Sequence, residues 1–409
     1  MPTGLLSDCL RPGDRILLGQ AVAEPVGLVQ ELFELAPRLG SLQVFAGLSL
    51  NPAWAGPVPE ALAISTYCGL GTLRKQVASG RARVVPASLS QLSDFIASRK
   101  LAVDVVMLQV TLADAQGFHS LGCTLDYVWD AVQTARVVVV EVNTRLPVTR
   151  SSARLHTSEV VVAHRSDAPL LQSPPEMPNE VQRQVARQVA TLVPDGATVQ
   201  LGIGGLAMAV GQALRDRRGL KIRSGMVGDW FLDLLASGAI DTHTPDACLA
   251  SLAVGSQPLY DSLSADGVLG FAPPSQLVQP VVGSPYMAIN SAIEVDLCGQ
   301  VNAELLGGRY VGTIGGQGDY FRAARRSVGG LAILALPATT GQAGSSGKAS
   351  KSRVVRRCAH VSTAQSDVDV VVTEHGVADL RATSLAERQQ LLAAIADPPE
   401  RAALQGPAS

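Results

Sequence analysis

The stretch Arg136–Val142 reads RVVVVEV, and similar runs occur at Leu331–Leu336 (LAILAL) and Asp369–Thr373 (DVVVT). Short, unbroken apolar runs are typical of strands that are buried on both faces of a parallel sheet. The segments between such runs are amphipathic, as in Val181–Val193, where apolar residues recur at helical spacing. This alternation of strands and helices predicts an α/β fold in which helices cover parallel sheets.

The first half of the chain is repeated in the second half at a constant offset. Leu10–Ile16 (LRPGDRI) matches Leu192–Thr198 (LVPDGAT), and the same offset pairs an Asp-x-x-Gly turn at 114–117 with one at 296–299. A constant offset over such a distance predicts two related domains, each built on an open, mostly parallel sheet. A proline-rich segment at 169–178 separates them, so we place the domains at residues 1–178 and 179–409.

The length and charge of the chain restrict its organisation and its partners. Its 409 residues suffice for two to three domains of about 100–200 residues each. With 33 basic residues, 35 acidic residues and 4% aromatic residues, it lacks the positive charge and the stacking side chains of a nucleic-acid binder. We therefore expect neither a nucleic-acid partner nor a membrane partner.

The cysteine, histidine and hydropathy patterns favour a soluble cytoplasmic protein without a metal. The six cysteines are too far apart for C-x-x-C motifs, so unpaired thiols in a reducing compartment are favoured over disulfides. The six histidines show no ligand spacing such as H-x-x-x-H. The N-terminus does not resemble a signal peptide, and no run approaches about 18 apolar residues.

Glu294 is the candidate catalytic residue, because it lies in an apolar, strand-like run, Ala288–Leu297 (AINSAIEVDL), that ends at a turn. A carboxylate in such a setting is costly to desolvate. The residues alone leave two interpretations open. Glu294 would be a strand-end side chain that reaches solvent or an arginine, or a nucleophile or general base in a cleft at the end of the strand. The first copy of the repeat has Leu112 at the corresponding position.

Two glycine clusters are the candidate ligand-binding turns. The first consists of Gly202, Gly204 and Gly205, and the second of Gly315, Gly316 and Gly318. A glycine turn between a strand and a helix lets backbone N–H groups approach an anionic or polar ligand, although such joints also need glycine for conformational reasons. The first cluster lacks the final glycine of a dinucleotide fingerprint, which disfavours NAD or FAD.

The segment Thr340–Arg353 (TGQAGSSGKASKSR) predicts a glycine- and serine-rich loop with a mild positive charge. Most such loops are only solvated. In this one, Lys348, Lys351 and Arg353 would also suit contact with phosphate groups.

Several long motifs together resemble the acetyl-CoA hydrolase/transferase family. They include Asp114–Gly122 (DAQGFHSLG), Asn290–Asn302 (NSAIEVDLCGQVN), Ile314–Ala324 (IGGQGDYFRAA) and Val372–Arg381 (VTEHGVADLR). This is the branch of class I CoA-transferases with the 4-hydroxybutyrate, butyrate, succinate:acetate and itaconate CoA-transferases. The resemblance covers nearly the whole chain, with the motifs in the family's order, and it favours the catalytic interpretation of Glu294.

The resemblance implies a covalent mechanism and specific roles for the candidate residues. Glu294 matches the family's catalytic glutamate, which attacks an acyl-CoA thioester and becomes a glutamyl-CoA thioester. Gly376 is the candidate donor to the oxyanion. The turn 315–318 matches the family's CoA-binding glycines, and 202–205 lies where the family builds the pocket wall. No permanently bound cofactor is implied, since the CoA thioester is itself the substrate, together with a small carboxylic or dicarboxylic acid. Family members commonly form homodimers or larger homo-oligomers.

The sequence also departs from the family's common pattern. A Pro-Asp pair that often follows the first glycine cluster is replaced by Ala207 and Met208, and a common His-Ser-Glu is replaced by 223–225 (RSG). Losing a glutamate at Gly225 and gaining Arg223 would suit a more anionic substrate, such as a dicarboxylate. Alternatively, both changes lie away from the substrate.

Three other functions are alternatives to a CoA-transferase. An acyl-CoA hydrolase would use the same glutamate, with water intercepting the covalent intermediate. A CoA-binding protein without activity is disfavoured by the intact Glu294 and glycine clusters. A nicotinamide-dependent oxidoreductase fits the general α/β pattern but lacks an identifiable acidic partner for the ribose.

Overall fold

The computed structural model describes residues 4–151, 153–341 and 350–405. The strands are β1 (Arg15–Leu18), β2 (Leu42–Phe45), β3 (Leu62–Thr66), β4 (Ala82–Val84), β5 (Val105–Val110), β6 (Phe118–Ser120), β7 (Val137–Asn143), β8 (Arg150–Ser151), β9 (Arg154–His156), β10 (Val161–Ser166), β11 (Thr198–Leu201), β12 (Lys221–Val227), β13 (Cys248–Ala253), β14 (Leu269–Phe271), β15 (Tyr286–Asn290), β16 (Glu294–Asp296), β17 (Val301–Asn302), β18 (Leu305–Leu306), β19 (Arg309–Tyr310), β20 (Leu331–Ala335), β21 (Val354–Val355), β22 (Val370–Thr373) and β23 (Gly376–Asp379). The α-helices are α1 (Leu6–Cys9), α2 (Val26–Leu39), α3 (Arg74–Ala78), α4 (Leu89–Ala97), α5 (Val128–Thr134), α6 (Glu180–Ala190), α7 (Gly205–Ala213), α8 (Trp230–Ala236), α9 (Gln257–Asp261), α10 (Pro274–Leu277), α11 (Gln317–Arg326), α12 (Leu385–Ala394) and α13 (Pro398–Gln405).

The two large sheets have the same strand order. The first is β10-β7-β5-β1-β2-β3-β4, and all of its pairs are parallel. The second contains β22-β20-β15-β11-β12-β13-β14 in the corresponding order, all parallel, with β23 added antiparallel to β22 and β8 added beside β14. Matching order in two open parallel sheets confirms the predicted α/β fold and its duplication.

The repeated Asp-x-x-Gly turn has the same hydrogen bonds in both halves. Asp114 Oδ1 accepts from the backbone N–H groups two and four residues further on, each at 2.9 Å. Asp296 Oδ1 does the same, again at 2.9 Å. Gly117 and Gly299 have φ of +87° and +91°, a region that favours glycine. The sequence offset therefore corresponds to a repeated structural unit.

The apolar runs that predicted strands form β7, β20 and β22, and the amphipathic run forms α6. The domain boundary predicted at 178/179 falls in the connection between β10 and α6. One strand crosses this division: β8 precedes the boundary, yet it pairs with β14 at the edge of the second sheet.

The two halves pack against each other over one continuous hydrophobic core. Leu125 N–H donates to Ser251 O at 2.7 Å, and Leu89 N–H donates to Gly315 O at 3.1 Å. Residues at the carboxyl ends of strands from both sheets line one crevice, since the segments after β2, β3, β11 and β13 all contribute to its wall. Among the helices described, none is long and apolar enough to cross a membrane.

Candidate active site

Glu294 begins β16, just beyond the carboxyl end of the central strand β15. Its side chain is half-buried, and Oε1 accepts a hydrogen bond from Asn302 Nδ2 at 2.9 Å. Within the described part of the chain, Oε2 accepts no hydrogen bond. One oxygen is thus held in place while the other is left for a reacting partner, which suits a nucleophile.

Asn302 orients this carboxylate, and both the oxygen and the nitrogen of its own amide form hydrogen bonds. Asn302 Oδ1 accepts from the N–H groups of Glu304 and Leu305 at 3.1 and 3.0 Å. Its Nδ2 donates to Leu305 O at 2.8 Å as well as to Glu294. These bonds fix which amide atom is the nitrogen, so a donor faces Glu294.

Glu304 stabilises the turn that follows Asn302. Its carboxylate is buried and accepts from Tyr310 Oη at 3.0 Å, His360 Nε2 at 3.0 Å and Ser362 Oγ at 2.6 Å. Burial and the neighbouring Glu304 charge raise the pKa of Tyr310 well above its ordinary value. No short motif in the sequence indicates this cluster, because its members come from separate segments of the chain.

The same turn contacts the first half of the chain. Gly69 N–H donates to Gly312 O at 2.8 Å, and Thr313 Oγ1 donates to Tyr67 O at 3.1 Å. A Cβ at Gly69 would lie only 2.8 Å from the carbonyl oxygen of Tyr310, so this close approach requires glycine. The segment that follows Asn302, the partner of Glu294, therefore joins the two halves of the chain.

Arg353 contacts the backbone of the segment just before Glu294. Arg353 is half-buried, and its guanidinium donates to Ile293 O at 3.0 Å and to Ala292 O at 3.1 Å; burial lowers its pKa. Two of its donor groups are thus used within the fold, and Arg353 also lines a cavity of about 250 Å³, so its contact with phosphate stays a prediction. Lys351 is exposed, and Lys348 lies outside the described residues.

Two cavities lie beside the first glycine cluster. The larger, of about 360 Å³, is between the two halves and includes Ile203 and Gly204 in its wall. The smaller, of about 70 Å³, is lined by Gly202, Ile203 and the end of β15, including Ser291. No group of three or more His, Cys, Asp or Glu side chains in the described ranges is placed to hold a metal ion.

Models of the acetyl-CoA hydrolase/transferase family match the chain in two places. The N-terminal domain model matches residues 6–165 and the C-terminal domain model matches residues 255–408. The 4-hydroxybutyrate coenzyme A transferase of Clostridium kluyveri is 32% identical over 95% of this chain and 92% of that protein. The chain belongs to this family.

Other members of the acetyl-CoA hydrolase/transferase family agree over nearly the full length. The succinyl-CoA:acetate/propanoyl-CoA:succinate CoA transferase of Fasciola hepatica is 30% identical over 97% of this chain and 84% of that protein. The crystal structure of a 4-hydroxybutyrate CoA-transferase from Porphyromonas gingivalis matches with a TM-score of 0.79 at 29% identity, covering 98% of this chain and 94% of that one.

Membership of the acetyl-CoA hydrolase/transferase family confirms the resemblance seen in the motifs. The protein is therefore an enzyme of the CoA-transferase type. The nicotinamide-dependent oxidoreductase and the inactive CoA-binding protein are both set aside by this finding.

The glycines of the first cluster differ in what they face. Gly202 O accepts from Trp230 Nε1 at 2.9 Å, and a Cβ at Gly202 or Gly204 would meet no atom within 4 Å. Gly204 has φ of +96° and lies at the N-terminus of α7. Gly205 instead packs against Gln182 of α6. Gly202 and Gly204 thus border the cavities, whereas Gly205 serves packing.

The second cluster lies where α11 meets the first half of the chain. Gly315 O accepts from Leu89 N–H, and a Cβ at Gly316 would lie 2.7 Å from the ring of Tyr320. A Cβ at Gly318 would meet only the movable end of Arg322, at 3.1 Å. Close packing explains Gly316 without a ligand, so CoA binding by this turn stays a prediction.

Gly376 begins β23 at the edge of the second sheet, with φ of +144°. In the described structure no hydrogen bond joins it to Glu294. Gly376 and Glu294 are linked only through other residues. Glu374 Oε2 accepts from Ala338 N–H at 2.8 Å, and Glu374 lies near Arg353, which in turn contacts Ile293 O. The role of Gly376 as an oxyanion donor stays a prediction.

The departures from the family's common pattern lie on β12 and on α7. A Cβ at Gly225 would lie 3.0 Å from Tyr320 Oη, so this face packs against α11. Met226, the next residue, lines the larger cavity, as Met208 of α7 does, and Ala207 lines the smaller one. Because side chains alternate along a strand, Arg223 shares the face of Gly225 and points away from the cavity.

Proposed function

We propose that this protein transfers CoA between an acyl-CoA and a small carboxylic acid through a thioester on Glu294. The observation that carries the proposal is the half-buried carboxylate at the end of β15, with one oxygen held by Asn302 and the other without a partner in the described structure. The names of the relatives, which act on 4-hydroxybutyrate or on succinyl-CoA and acetate, support the substrate class.

The proposed reaction has two exchanges at carbonyl carbon. Oε2 of Glu294 attacks the thioester carbonyl, the C–S bond breaks, and CoA thiolate leaves a mixed anhydride. The thiolate then attacks the glutamyl carbonyl of the anhydride, the bond from that carbon to the bridging oxygen breaks, and the free acid leaves. An incoming carboxylate reverses both exchanges. No net proton, electron or phosphate is consumed, so the CoA thioester serves as substrate without a permanently bound cofactor.

Each exchange passes through an oxyanion that needs fixed donors. We assign this role to the backbone N–H of Gly376, which would need the Glu374–His375 turn to approach Glu294. The turns at 202–205 and 315–318 would hold the CoA ester. The homo-oligomeric assembly and cytoplasmic location expected from the sequence stay predictions.

Trapping the glutamyl thioester tests the proposal. The enzyme is mixed with acyl-CoA without acceptor and then treated with borohydride, which reduces a thioester but not a carboxylate. We expect inactivation and a loss of about 14 Da on the peptide that carries Glu294, the difference between a carboxyl and a hydroxymethyl group. The control is Glu294→Gln, which should show no mass change and should lose several powers of ten in kcat.

The acyl-CoA hydrolase is the second candidate function, because water would intercept the same intermediate if it reached Glu294. Its signature is steady release of free CoA without an acceptor, at a rate that added carboxylates do not change. A mass change on the Glu304 peptide instead of the Glu294 peptide would show that the nucleophile is misassigned.

A further inference from the structure

The larger cavity between the two halves has an apolar wall. Its side chains come from both halves of the chain, and the apolar ones include Leu48, Leu50, Leu70, Met208, Met226 and Val254. At about 360 Å³ it is far larger than a two-carbon group needs, since one water molecule takes about 30 Å³ in the liquid. Methionine side chains adapt to irregular apolar ligands, so two of them in one wall suit a flexible chain.

The larger cavity lies at the same edge of the second sheet as Glu294, since residues that end or follow β11, β12 and β13 line it and Glu294 follows β15. Ile203 lines both this cavity and the smaller one. The smaller cavity reaches Asn290 and Ser291 at the end of β15, three residues before Glu294. A group attached to the reacting carbonyl would therefore extend from the end of β15 past Ile203 into the larger space.

The charges around the cavity do not favour a second carboxylate. Asp229 is buried and is used by Ser256, whose N–H donates to it at 3.1 Å and whose hydroxyl also donates to it. Among the described wall residues the only cation is Arg74, which is exposed, and the same wall also contains the exposed carboxylate of Glu176. Arg223 is on the other face of β12. The dicarboxylate expected from Arg223 and Gly225 thus finds no buried cation here.

We propose that this cavity binds the acyl chain of the substrate, and that the enzyme prefers a medium-length, unsubstituted apolar acyl group of about six carbons. Met208 and Met226 would be the residues that set this preference. The inference rests on the function proposed above and names its substrate class. The pantetheine arm of CoA is a poorer occupant, because most of the wall is apolar and the two amides of the arm would lose hydrogen bonds to water against it.

The test measures kcat/KM for straight-chain acyl-CoAs of two to ten carbons, with acetate as acceptor (propionate for acetyl-CoA). Each methylene that enters the cavity should raise kcat/KM about fourfold, up to a maximum near six carbons. Adipoyl-CoA, which ends in a carboxylate, should be poorer than hexanoyl-CoA by about two orders of magnitude. A preference for acetyl-CoA, or for adipoyl-CoA, would overturn the inference while leaving CoA transfer intact.

Met226→Gln provides the second measurement, since it keeps the volume but adds an amide to the wall. The ratio of kcat/KM for hexanoyl-CoA to that for acetyl-CoA should fall about tenfold, and a general folding defect would not change this ratio. The matched control is Met177→Gln, because Met177 is 80% exposed and lies outside the wall. An unchanged ratio, or an equal loss of affinity for all CoA esters and free CoA, would overturn the inference. Absence of transfer from every donor would instead refute the proposed function itself.

Discussion

The substitution Asn302→Asp distinguishes an effect on the orientation of Glu294 from an effect on the folding of the turn that follows residue 302. Aspartate keeps Oδ1, which accepts from the N–H groups of Glu304 and Leu305. It loses the donor that meets Glu294 Oε1 at 2.9 Å and puts a second carboxylate in its place. A hydrogen bond to a charged group contributes about 1.5–3 kcal/mol. If it acts in the transition state, kcat should therefore fall about 10- to 150-fold, and repulsion between the carboxylates would add to the loss.

Steady-state kinetics with an acyl-CoA and a carboxylate acceptor measure this effect, and the borohydride assay locates it. The expected result is a lower kcat with a smaller change in KM for the CoA ester, because Asn302 is buried and positions the nucleophile without contacting CoA. Slower accumulation of the trapped glutamyl thioester should accompany the lower kcat. Partial rescue by Asn302→Gln is not expected, since the longer side chain would move both amide atoms.

Asn143→Asp is the matched control. Asn143 is also buried, its Oδ1 accepts from Arg145 N–H at 2.9 Å, and its Nδ2 donates to Gln109 Oε1 at 2.7 Å and to Ala168 O at 3.0 Å. Both variants thus lose equivalent bonds and should lose similar thermal stability. Equal kcat in the two variants would refute the claim that Asn302 orients the nucleophile.

Two further predictions concern a buried carboxyl and the second glycine cluster. Burial raises the pKa of Glu24 from 4.5 to about 7, so the contribution of the protonated carboxyl to stability is present below pH 4.5 and is lost as the pH rises to 7. In urea unfolding, Glu24→Gln should remove this pH dependence and raise the free energy of unfolding at pH 8 by up to about 3 kcal/mol. A wild-type free energy of unfolding that does not change over this pH range would contradict the prediction. Gly316→Val should lower Tm by displacing the Tyr320 ring, so it cannot isolate CoA binding. Gly318→Ala should fold normally and raise KM for CoA esters severalfold if the turn contacts CoA, and an unchanged KM would remove Gly318 from the binding site.

The candidate nucleophile could be found from the sequence, but its partners could not. Glu294 stands out because a carboxylate interrupts an apolar run next to a repeated turn, and because the motif around it resembles a known family. Asn302 lies in the same motif, yet only the pairing of β16 with β17 brings its amide to Glu294. Glu304 and His360 are 56 residues apart and meet only in the folded chain. Arg353 shows the same limit: its charge was visible in the sequence, whereas the two backbone carbonyls that it contacts were not.

The sequence by itself determined the α/β class and the duplication, and its motifs indicated the candidate nucleophile. These follow from local patterns: apolar runs report burial on both faces of a sheet, and a constant offset reports a repeated unit. The tertiary structure alone decided which face of β12 each residue occupies. Gly225 and Met226 are neighbours in the chain, but alternation along β12 sends one towards Tyr320 and the other into the cavity between the halves. The wall of that cavity is built from six separate segments of the chain, because a crevice between two domains is formed by packing and not by any one segment.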